Sequence, residues 1–393
     1  MEFKELGVEE RLVTVLSGMG ITVATDVQCG VIPVVLGGEC VVATSQTGSG
    51  KSLAYLLPLV QLLGCKCDSA VSALILTPTR ELAQQVGAVC KGLIGCTDIS
   101  VVTIYGGVEY EPQRVALAAT PDIIVATPGR LLDLIEQGAV RCDSLRFLIL
   151  DEMDQMLDLG FRDAIFSLAK GRVADAQTLC FSATINEQIQ QLIDELIANA
   201  YTRVSCGCDN LAVAEITQQG YYVTTEMMDH LLLHLLNRDK PQRAILFTRS
   251  RKMADRLAEL LRTRDLVAEA MHSERSQTAR EHILERFRTG ETAILVATDV
   301  VARGIDVADV DFVYNYGMPL EAEQYVHRIG RTGRAGRTGI AITLSPPNES
   351  DLVIAACKLM RKNIPMSTNH AYTTPDLQRQ ITTPTKRKSK RKK

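Results

Sequence analysis

The chain has 393 residues, enough for two ordinary domains; 46% are hydrophobic, 23% are charged, and the net charge is −3, a balance typical of a globular protein. No apolar run is long enough to span a bilayer and the charged N-terminus is unlike a signal peptide, so we expect a cytosolic or nuclear protein without a membrane partner. The eleven cysteines are then expected to be reduced thiols, and their spacing does not indicate a metal site.

Short apolar runs in the first half of the chain predict the buried strands of a parallel sheet. They lie at 39–44, 72–77, 101–105, 123–127, 147–150 and 178–182. Segments between them, such as 81–93 and 187–198, have helical apolar spacing. This alternation predicts a doubly wound α/β domain over residues 1–204.

A polar stretch rich in small residues, 205–219, predicts a linker to a second domain of the same class over 220–361. Its predicted strands are 244–248, 267–272, 293–298, 312–316 and 340–344, and its predicted helices are 252–263, 277–289 and 351–361. Residues 362–393 lack periodicity and are predicted to be a disordered tail.

The first predicted strand is followed by a glycine-rich segment that predicts a phosphate-binding loop, Ser45-Gln46-Thr47-Gly48-Ser49-Gly50-Lys51-Ser52. Glycines allow backbone N–H groups to approach phosphate oxygens, and the helix that follows adds its positive dipole end. Lys51 would lie between the β- and γ-phosphates of ATP, and the Ser52 hydroxyl would ligate Mg²⁺. One departure from the general pattern is Ser45, which stands where a glycine is usual.

A second candidate group is acidic and lies at the end of the 147–150 strand: Asp151-Glu152-Met153-Asp154. Carboxyl ends of parallel strands are where α/β sheets place ligand-contacting groups. We therefore expect Asp151 to hold Mg²⁺ and Glu152 to orient the attacking water as the catalytic carboxylate. The alternative is an acidic loop that caps the next helix.

With these motifs the chain resembles the DEAD-box ATP-dependent RNA helicases over residues 1–360, with Met153 where the family motif has alanine. The resemblance implies two RecA-like domains, and we expect Met153 to pack beneath its loop. It assigns adenine contacts to Phe3, Ile21 and Gln28, although Ile21 replaces a usual aromatic and Ala24 a usual proline. Coupling of hydrolysis to strand separation is assigned to Asp154, Ser182, Thr184 and His327.

The resemblance also places RNA contacts in both domains. The matching residues are Pro78, Thr79, Arg80, Gly106, Gly107, Thr127, Pro128, Gly129, Arg130, Gln277, Arg280, Thr298 and Asp299. Strand-end turns offer backbone N–H groups, hydroxyls and charges to phosphates, so we expect sequence-independent, salt-sensitive binding. Arg80 has an alternative, an ion pair with a helix carboxylate.

The second half has no Gly-Lys-Ser/Thr pattern, but it carries Arg328, Arg331 and Arg334 at three-residue spacing, which predicts one helical face. We expect Arg331 and Arg334 to act as arginine fingers that complete the first domain's ATP site when the domains close. The resemblance adds Gly304 and Asp306 to the nucleotide contacts, with Asp306 on the ribose. A solvated basic helix face is the alternative.

The predicted function is an RNA-stimulated ATPase, acting as a monomer on single-stranded and short duplex RNA with protein partners for specificity. An ATP-gated RNA clamp and a DNA translocase are the rivals. The last eight residues carry seven positive charges, which leaves −10 on the rest of the chain. This basic end predicts a nuclear or nucleolar protein, or else an RNA tether or a solubilising tail.

Overall fold

Two parallel sheets, each of seven strands in the part of the chain described, organise the molecule. The computed structural model describes residues 1–45, 48–64, 70–95, 97–197, 200–206, 216–299, 310–333 and 338–377. They divide between two units, Met1–Asp209 and Asn210–Lys393. Among the described helices, none combines the length and the apolar character that a membrane crossing requires.

The first unit begins with a 3₁₀ turn, Phe3–Leu6, and contains seven strands and nine helices in its described residues. The strands are β1 (Cys40–Thr44), β2 (Ala73–Leu76), β3 (Val101–Ile104), β4 (Ile123–Ala126), β5 (Leu145–Leu150), β6 (Arg172–Ser182) and β7 (Tyr201–Ser205). The helices are α1 (Glu10–Gly18), α2 (Asp26–Leu36), α3 (Lys51–Leu63), α4 (Arg80–Ile94), α5 (Glu111–Ala118), α6 (Pro128–Glu136), α7 (Met153–Asp158), α8 (Arg162–Ala169) and α9 (Glu187–Leu196).

Helices cover both faces of this sheet because alternate strand residues point to opposite sides. Ile75 and Ile149 lie in a core with α1 to α4, whereas Leu74 and Leu148 lie in a second core with α5 to α9. The strand order is β3-β4-β2-β5-β6-β1-β7, with every pair parallel. The loops that follow the strands therefore all emerge at one carboxyl edge.

The second unit repeats this architecture with the order β10-β11-β9-β12-β13-β8-β14. Its strands are β8 (Ile216–Tyr222), β9 (Ala244–Thr248), β10 (Ala268–Met271), β11 (Ile294–Thr298), β12 (Phe312–Tyr316), β13 (Gly339–Ser345) and β14 (Met366–Ser367). Its described helices are α10 (Met228–Asp239), α11 (Arg251–Arg262), α12 (Gln277–Arg288), α13 (Ala322–Ile329) and α14 (Ser350–Met360), with 3₁₀ turns at Thr225–Met227 and Pro347–Glu349.

Three elements differ from the sequence prediction. Strand β7 was not expected, and β8 begins inside the range predicted as a linker, because both strands are half polar and lack an apolar run. Part of the predicted tail, 362–377, is ordered: Met366 pairs with Gly220 as an added strand. His370 Nε2 lies 2.8 Å from the carbonyl oxygen of Tyr222, and the Leu377 side chain is fully buried.

We predict that Leu377→Ala lowers the free energy of unfolding of the second unit by about 2 to 5 kcal/mol, since it removes a buried leucine side chain. Urea unfolding of the full chain measures this loss. Ile354→Ala is the matched control, because Ile354 is 51% exposed on α14 and its truncation should change stability little. Equal effects of the two substitutions would contradict an ordered role for residues 362–377.

Candidate functional site

The glycine-rich loop connects β1 to α3, as predicted, and holds a buried lysine. Gly48 and Gly50 have φ values of +86° and +90°, a left-handed conformation that favours glycine. Lys51 is the first residue of α3, and its Nζ donates a hydrogen bond to the carbonyl oxygen of Ser45 at 2.9 Å. Gln46 and Thr47 lie outside the described residues. The ammonium group is thus tied to the loop that would surround a phosphate.

The serine that replaces the usual glycine contributes a bond of its own. Ser49 Oγ donates to Ser45 Oγ at 3.0 Å, across the loop. The backbone N–H of Ser45 donates to the carbonyl oxygen of Ser182 at 3.2 Å. The start of the loop is therefore bonded to the end of β6, the strand beside β1.

Gln28 connects the predicted adenine segment to this loop. With Thr25 it forms a capping box at the start of α2, where its Oε1 accepts the Thr25 N–H at 2.9 Å. Its Nε2 donates to the carbonyl oxygen of Gly50 at 3.1 Å. A Cβ on Gly50 would lie 2.5 Å from that nitrogen, so only glycine permits this close approach.

Of the two apolar residues predicted at the adenine site, Phe3 is placed differently from expectation, and the role of Ile21 stays a prediction. Phe3 is 1% exposed and belongs to the hydrophobic core, so its ring is not presented to a ligand. Ile21 is half-buried and packs against the same core. The reason is local: the 3₁₀ turn Phe3–Leu6 directs Phe3 inward, and a bridge between Glu2 and Val23 holds this segment against the residues before α2.

Asp151 is a buried carboxylate at the end of β5. Its Oδ2 accepts a hydrogen bond from the Tyr55 hydroxyl at 2.8 Å, while Oδ1 has no hydrogen-bond partner among the described residues. Burial raises the pKa of Asp151, and the nearby Lys51 charge and the Tyr55 bond oppose that rise. A buried carboxylate oxygen without a donor fits a divalent cation.

Tyr55 joins the two residues predicted to hold the metal. It lies on α3, fully buried, and its hydroxyl also interacts with the Ser52 side chain. Burial, followed by the Asp151 charge, raises the pKa of Tyr55 well above its ordinary value, so the phenol stays a hydrogen-bond donor. Tyr55 was not among the predicted site residues; the available signal was its position three residues after Ser52, on the same helical face.

Glu152 has a left-handed backbone, with φ and ψ both at 55°. A non-glycine residue in this region costs on the order of 1 to 3 kcal/mol, and such strain is concentrated at functional sites. The turn sends the chain from β5 into α7, where Met153 is fully buried. The prediction that Met153 packs beneath its loop is confirmed.

Of the residues predicted to couple hydrolysis to RNA, Ser182 ends β6 and is bonded to the start of the phosphate loop. Ser182 Oγ donates to the carbonyl oxygen of Thr184 at 2.7 Å, which closes the turn after β6. Asp154 is half-buried at the start of α7, and its Oδ1 accepts the Gln155 N–H at 3.1 Å. In the second unit, His327 lies in the last turn of α13.

At the same edge, Arg80 and Gly107 are packed together. Gly107 has φ of +80°, and a Cβ there would lie 1.7 Å from Arg80 Nη1, so the guanidinium fills the space over the glycine. Gln113 holds the loop in place, since its Oε1 accepts the Tyr105 N–H and its Nε2 donates to the Tyr105 carbonyl, both at 3.1 Å. The loop with Gly106 and Gly107 is therefore pre-formed beside the start of α4.

Two helix N-termini follow neighbouring strands. Pro78 and Thr79 lead from β2 to α4, where Thr79 Oγ1 accepts the Leu82 N–H at 3.3 Å. Thr127 precedes α6, whose first residue is Pro128, and a Cβ on Gly129 would meet no atom within 4 Å. Helix N-termini with open backbone N–H groups suit phosphate oxygens.

Arg130 differs from the expected phosphate ligand. It is 8% exposed, its Nη2 donates to the carbonyl oxygen of Val108 at 3.0 Å, and its guanidinium lies 3.9 Å from the Tyr110 ring centroid. The arginine fastens α6 to the loop that contains Gly106 and Gly107. A positioning contact of this kind could not be read from a motif.

In the second unit, Arg328 and Asp299 form an ion pair in which the arginine is buried and the aspartate is half-buried. Arg328 is 1% exposed; its Nη2 donates to Asp299 Oδ2 at 2.8 Å, and its Nη1 donates to the carbonyl oxygen of Gly317 at 3.2 Å. Asp299, predicted to face RNA, is thus occupied by an internal ion pair. Thr298, just before it, is also buried, at 7% exposed.

The predicted arginine face is not one helix. Helix α13 ends at Ile329, Gly330 caps it, and Arg331 follows in a turn with 3% of its surface exposed. Arg334, Gly304 and Asp306 lie outside the described residues. Gln277 and Arg280 are buried at the start of α12, with Arg280 Nη1 3.4 Å from Gln277 Oε1, so they contact each other.

Two family models match the chain. One, described as DEAD/DEAH box helicase, matches residues 25–192, and the other, helicase conserved C-terminal domain, matches residues 226–336. The DEAD-box ATP-dependent RNA helicase CshA of Geobacillus kaustophilus is 39% identical over 88% of this chain and 74% of its own length. The chain belongs to the DEAD-box ATP-dependent RNA helicases. RhpA of Helicobacter pylori is 37% identical over 88% of this chain and 70% of its length.

Solved structures agree with this assignment. S. cerevisiae Dbp5 bound to RNA and ADP BeF3 has a TM-score of 0.84 at 28% identity, over 93% of this chain and 95% of that one. The DEAD-box helicase Mss116 bound to ssRNA and UDP-BeF has a TM-score of 0.84 at 26% identity, over 96% and 81%. The predicted fold, two RecA-like α/β domains, is confirmed, and the helicase acts on RNA with ATP.

The expectation of a nuclear or nucleolar protein is wrong. The DEAD-box relatives CshA and RhpA, at 37 to 39% identity, come from bacteria, which have no nucleus. A cluster of lysines and arginines attracts any polyanion, so the charge of 386–393 could not by itself indicate an import signal. The tail lies outside the described residues, and an RNA tether stays a prediction.

For this helicase without nucleotide, we predict that Asp151→Asn raises the thermal midpoint of unfolding near neutral pH while abolishing ATP turnover. Burial raises the carboxyl pKa, so the charged form lowers stability as pH rises above the ordinary value of 3.8. The stability difference between wild type and variant should shrink as pH falls through the raised pKa. Thermal unfolding in EDTA at several pH values measures it, and a variant less stable at every pH would contradict the assignment.

Proposed function

We propose that this helicase separates short RNA duplexes locally because ATP and single-stranded RNA occupy adjoining parts of one sheet edge. The observation that carries the proposal is the contact between β2 and β5. The Asp151 N–H donates to the carbonyl oxygen of Leu76 at 2.9 Å, and the RNA motif 78–80 begins two residues after Leu76. Hydrolysis at Asp151 and Glu152 is thereby next to the strand end that would hold RNA.

The nucleotide half of this edge is β5-β6-β1. Lys51 would contact the β- and γ-phosphates, and Glu152 would orient the attacking water for in-line displacement. Ser52 and Asp151 are the residues that would hold Mg²⁺, which neutralises phosphate charge when bound. Gln28, which is bonded to Gly50, would sense the nucleotide through the same loop.

The RNA half is β3-β4-β2. The open N-terminus of α6, the capped N-terminus of α4 and the loop at Gly107 offer backbone groups in a row. Such contacts recognise phosphate and sugar but not base, so binding would be independent of sequence and weakened by salt. Target choice would then come from protein partners, with the protein itself acting as a monomer.

The second unit would supply charge to the hydrolysis step. Arg331 would reach the γ-phosphate held by the first unit, with Arg334 beside it and Gly304 and Asp306 near the ribose. A guanidinium stays charged at any physiological pH, and its planar fork matches phosphate oxygens. The Arg328–Asp299 pair supports this step by holding α13, which leads to Arg331, against the end of β11.

We predict that RNA stimulates ATP turnover, and that Glu152→Gln lowers kcat by about 100-fold or more while ATP-dependent RNA binding persists. Phosphate release from ATP measures turnover, and RNA retention with a non-hydrolysable ATP analogue measures ATP-dependent RNA binding. Glu187→Gln, at an exposed position on α9, is the matched control. Turnover that is equal with and without RNA would refute the coupling. RNA retention without release of a short duplex would favour an ATP-gated clamp. Stimulation of ATP turnover by DNA would favour a DNA translocase.

We predict that Gly129→Ala weakens RNA binding roughly tenfold and leaves ATP binding unchanged. A loss of this size corresponds to one hydrogen bond between the protein and a charged phosphate. The added Cβ meets no protein atom within 4 Å, so the fold should tolerate it, and it would lie where a phosphate approaches. Gly18→Ala on α1 is the control, since its Cβ also meets no atom within 4 Å. Fluorescence anisotropy with single-stranded RNA measures the affinity of both variants. Equal affinities would show that α6 does not contact RNA.

A further inference from the structure

A cavity of about 250 Å³ lies at the amino edge of the first sheet, opposite the nucleotide edge. It is lined by Cys40, the first residue of β1, and Arg172, the first residue of β6, with the ends of α8 and α9 beside them. Both strands run away from the cavity, β1 toward the phosphate loop and β6 toward Ser182. The function proposed above does not use this cavity.

The cavity is formed by an irregularity of β6. Leu145 pairs with Arg172 and Phe147 pairs with Gln177. An advance of two residues along β5 therefore corresponds to an advance of five residues along β6. Residues 173–176 therefore leave the ladder and bulge outward, and three of them line the cavity. A bulge next to a concave site is a common way to aim side chains at a ligand.

Arg172 is a positive charge held by neutral groups. Its Nε donates to the carbonyl oxygen of Ala169 at 3.0 Å, and its Nη1 donates to Thr178 Oγ1 and to the carbonyl oxygen of Leu196, both at 2.7 Å. Within the described ranges no carboxylate pairs with it, and its Nη2 donates no hydrogen bond to the protein. Burial lowers the pKa of this guanidinium, so its charge is held at a free-energy cost that an anion would offset.

We propose that this cavity binds a small organic anion, a carboxylate or phosphate monoester, through the free Nη2 edge of Arg172. The three bonds on Nε and Nη1 fix the guanidinium plane, which preorganises the remaining donors for an oxyanion. The volume corresponds to about eight water molecules, enough for a charged head and a few carbon atoms. Ala174, Ala176 and Ile197 supply apolar surface for those carbons.

The test is calorimetric titration of the full chain carrying Lys51→Ala, which silences the phosphate loop. Glycerol 2-phosphate and succinate are the two probes, and glycerol is the neutral control. Saturable binding of either anion supports the proposal and identifies the head group; binding of neither overturns it. Arg172→Gln should weaken binding about tenfold or more. Arg203→Gln should leave binding unchanged, because Arg203 also bonds neutral groups, Gln190 and Tyr201, but at an exposed position of β7 that does not line the cavity.

A second measurement keeps the test decisive if Arg172→Gln fails to fold. Cys40 lines the cavity, so the bound anion should slow its alkylation by iodoacetamide, followed at that peptide by mass spectrometry. Ala176→Leu should fill the cavity, abolish anion binding and leave the arginine bonds intact. Anion binding that persists unchanged in both Arg172→Gln and Ala176→Leu, or that leaves Cys40 alkylation unaffected, would overturn the proposal.

Discussion

Parallel strand direction is the constraint on which the rest of this molecule depends. Since every strand of a sheet runs the same way, every loop that follows a strand emerges at one edge, whatever its position along the chain. The phosphate loop, Asp151, Ser182 and the RNA motifs come from distant parts of the sequence, yet they meet there. Under the proposed function, the strand order separates them into a nucleotide half and an RNA half, joined between β2 and β5.

The nucleotide half keeps unfavourable features that a purely structural site would lack. Asp151 is buried with one oxygen unpaired, Glu152 has a left-handed backbone, and Lys51 is turned into its own loop. The buried carboxylate and the left-handed backbone each lower the stability of the free protein, and under the proposed function the binding of phosphate and cation would compensate for this loss. Tyr55 limits the cost by donating a hydrogen bond to the carboxylate without neutralising it.

The arginines show how one residue type serves different purposes in the same fold. Arg130 and Arg328 are buried and fasten loops to helices, through Val108 in one unit and Asp299 in the other. Within the described residues, Arg172 also bonds only neutral acceptors, as Arg130 does with Val108, but it lines a cavity, and there we propose that its charge binds an anion. A motif match cannot separate these cases, because the distinction depends on the acceptors and the space that surround each guanidinium.

The sequence alone was sufficient for the elements that rest on local pattern. Apolar runs located most of the buried strands, glycines with their required backbone freedom marked the phosphate loop, and strand-end carboxylates marked Asp151 and Glu152. Their physical basis, periodicity and backbone conformation, is contained within a few neighbouring residues. The burial of Met153 was also predicted, because this apolar residue lies shortly after the end of β5.

Tertiary structure decided what depends on partners far along the chain. It buried Phe3 in the core, paired Asp299 with Arg328, brought Tyr55 to Asp151 and added residues 366–367 to a sheet. It also ended α13 at Ile329, where three-residue spacing had suggested a continuous helix, although Gly330 was a usable signal. Burial and pairing are properties of the space into which a side chain folds, and that space is built by residues that a local pattern does not contain.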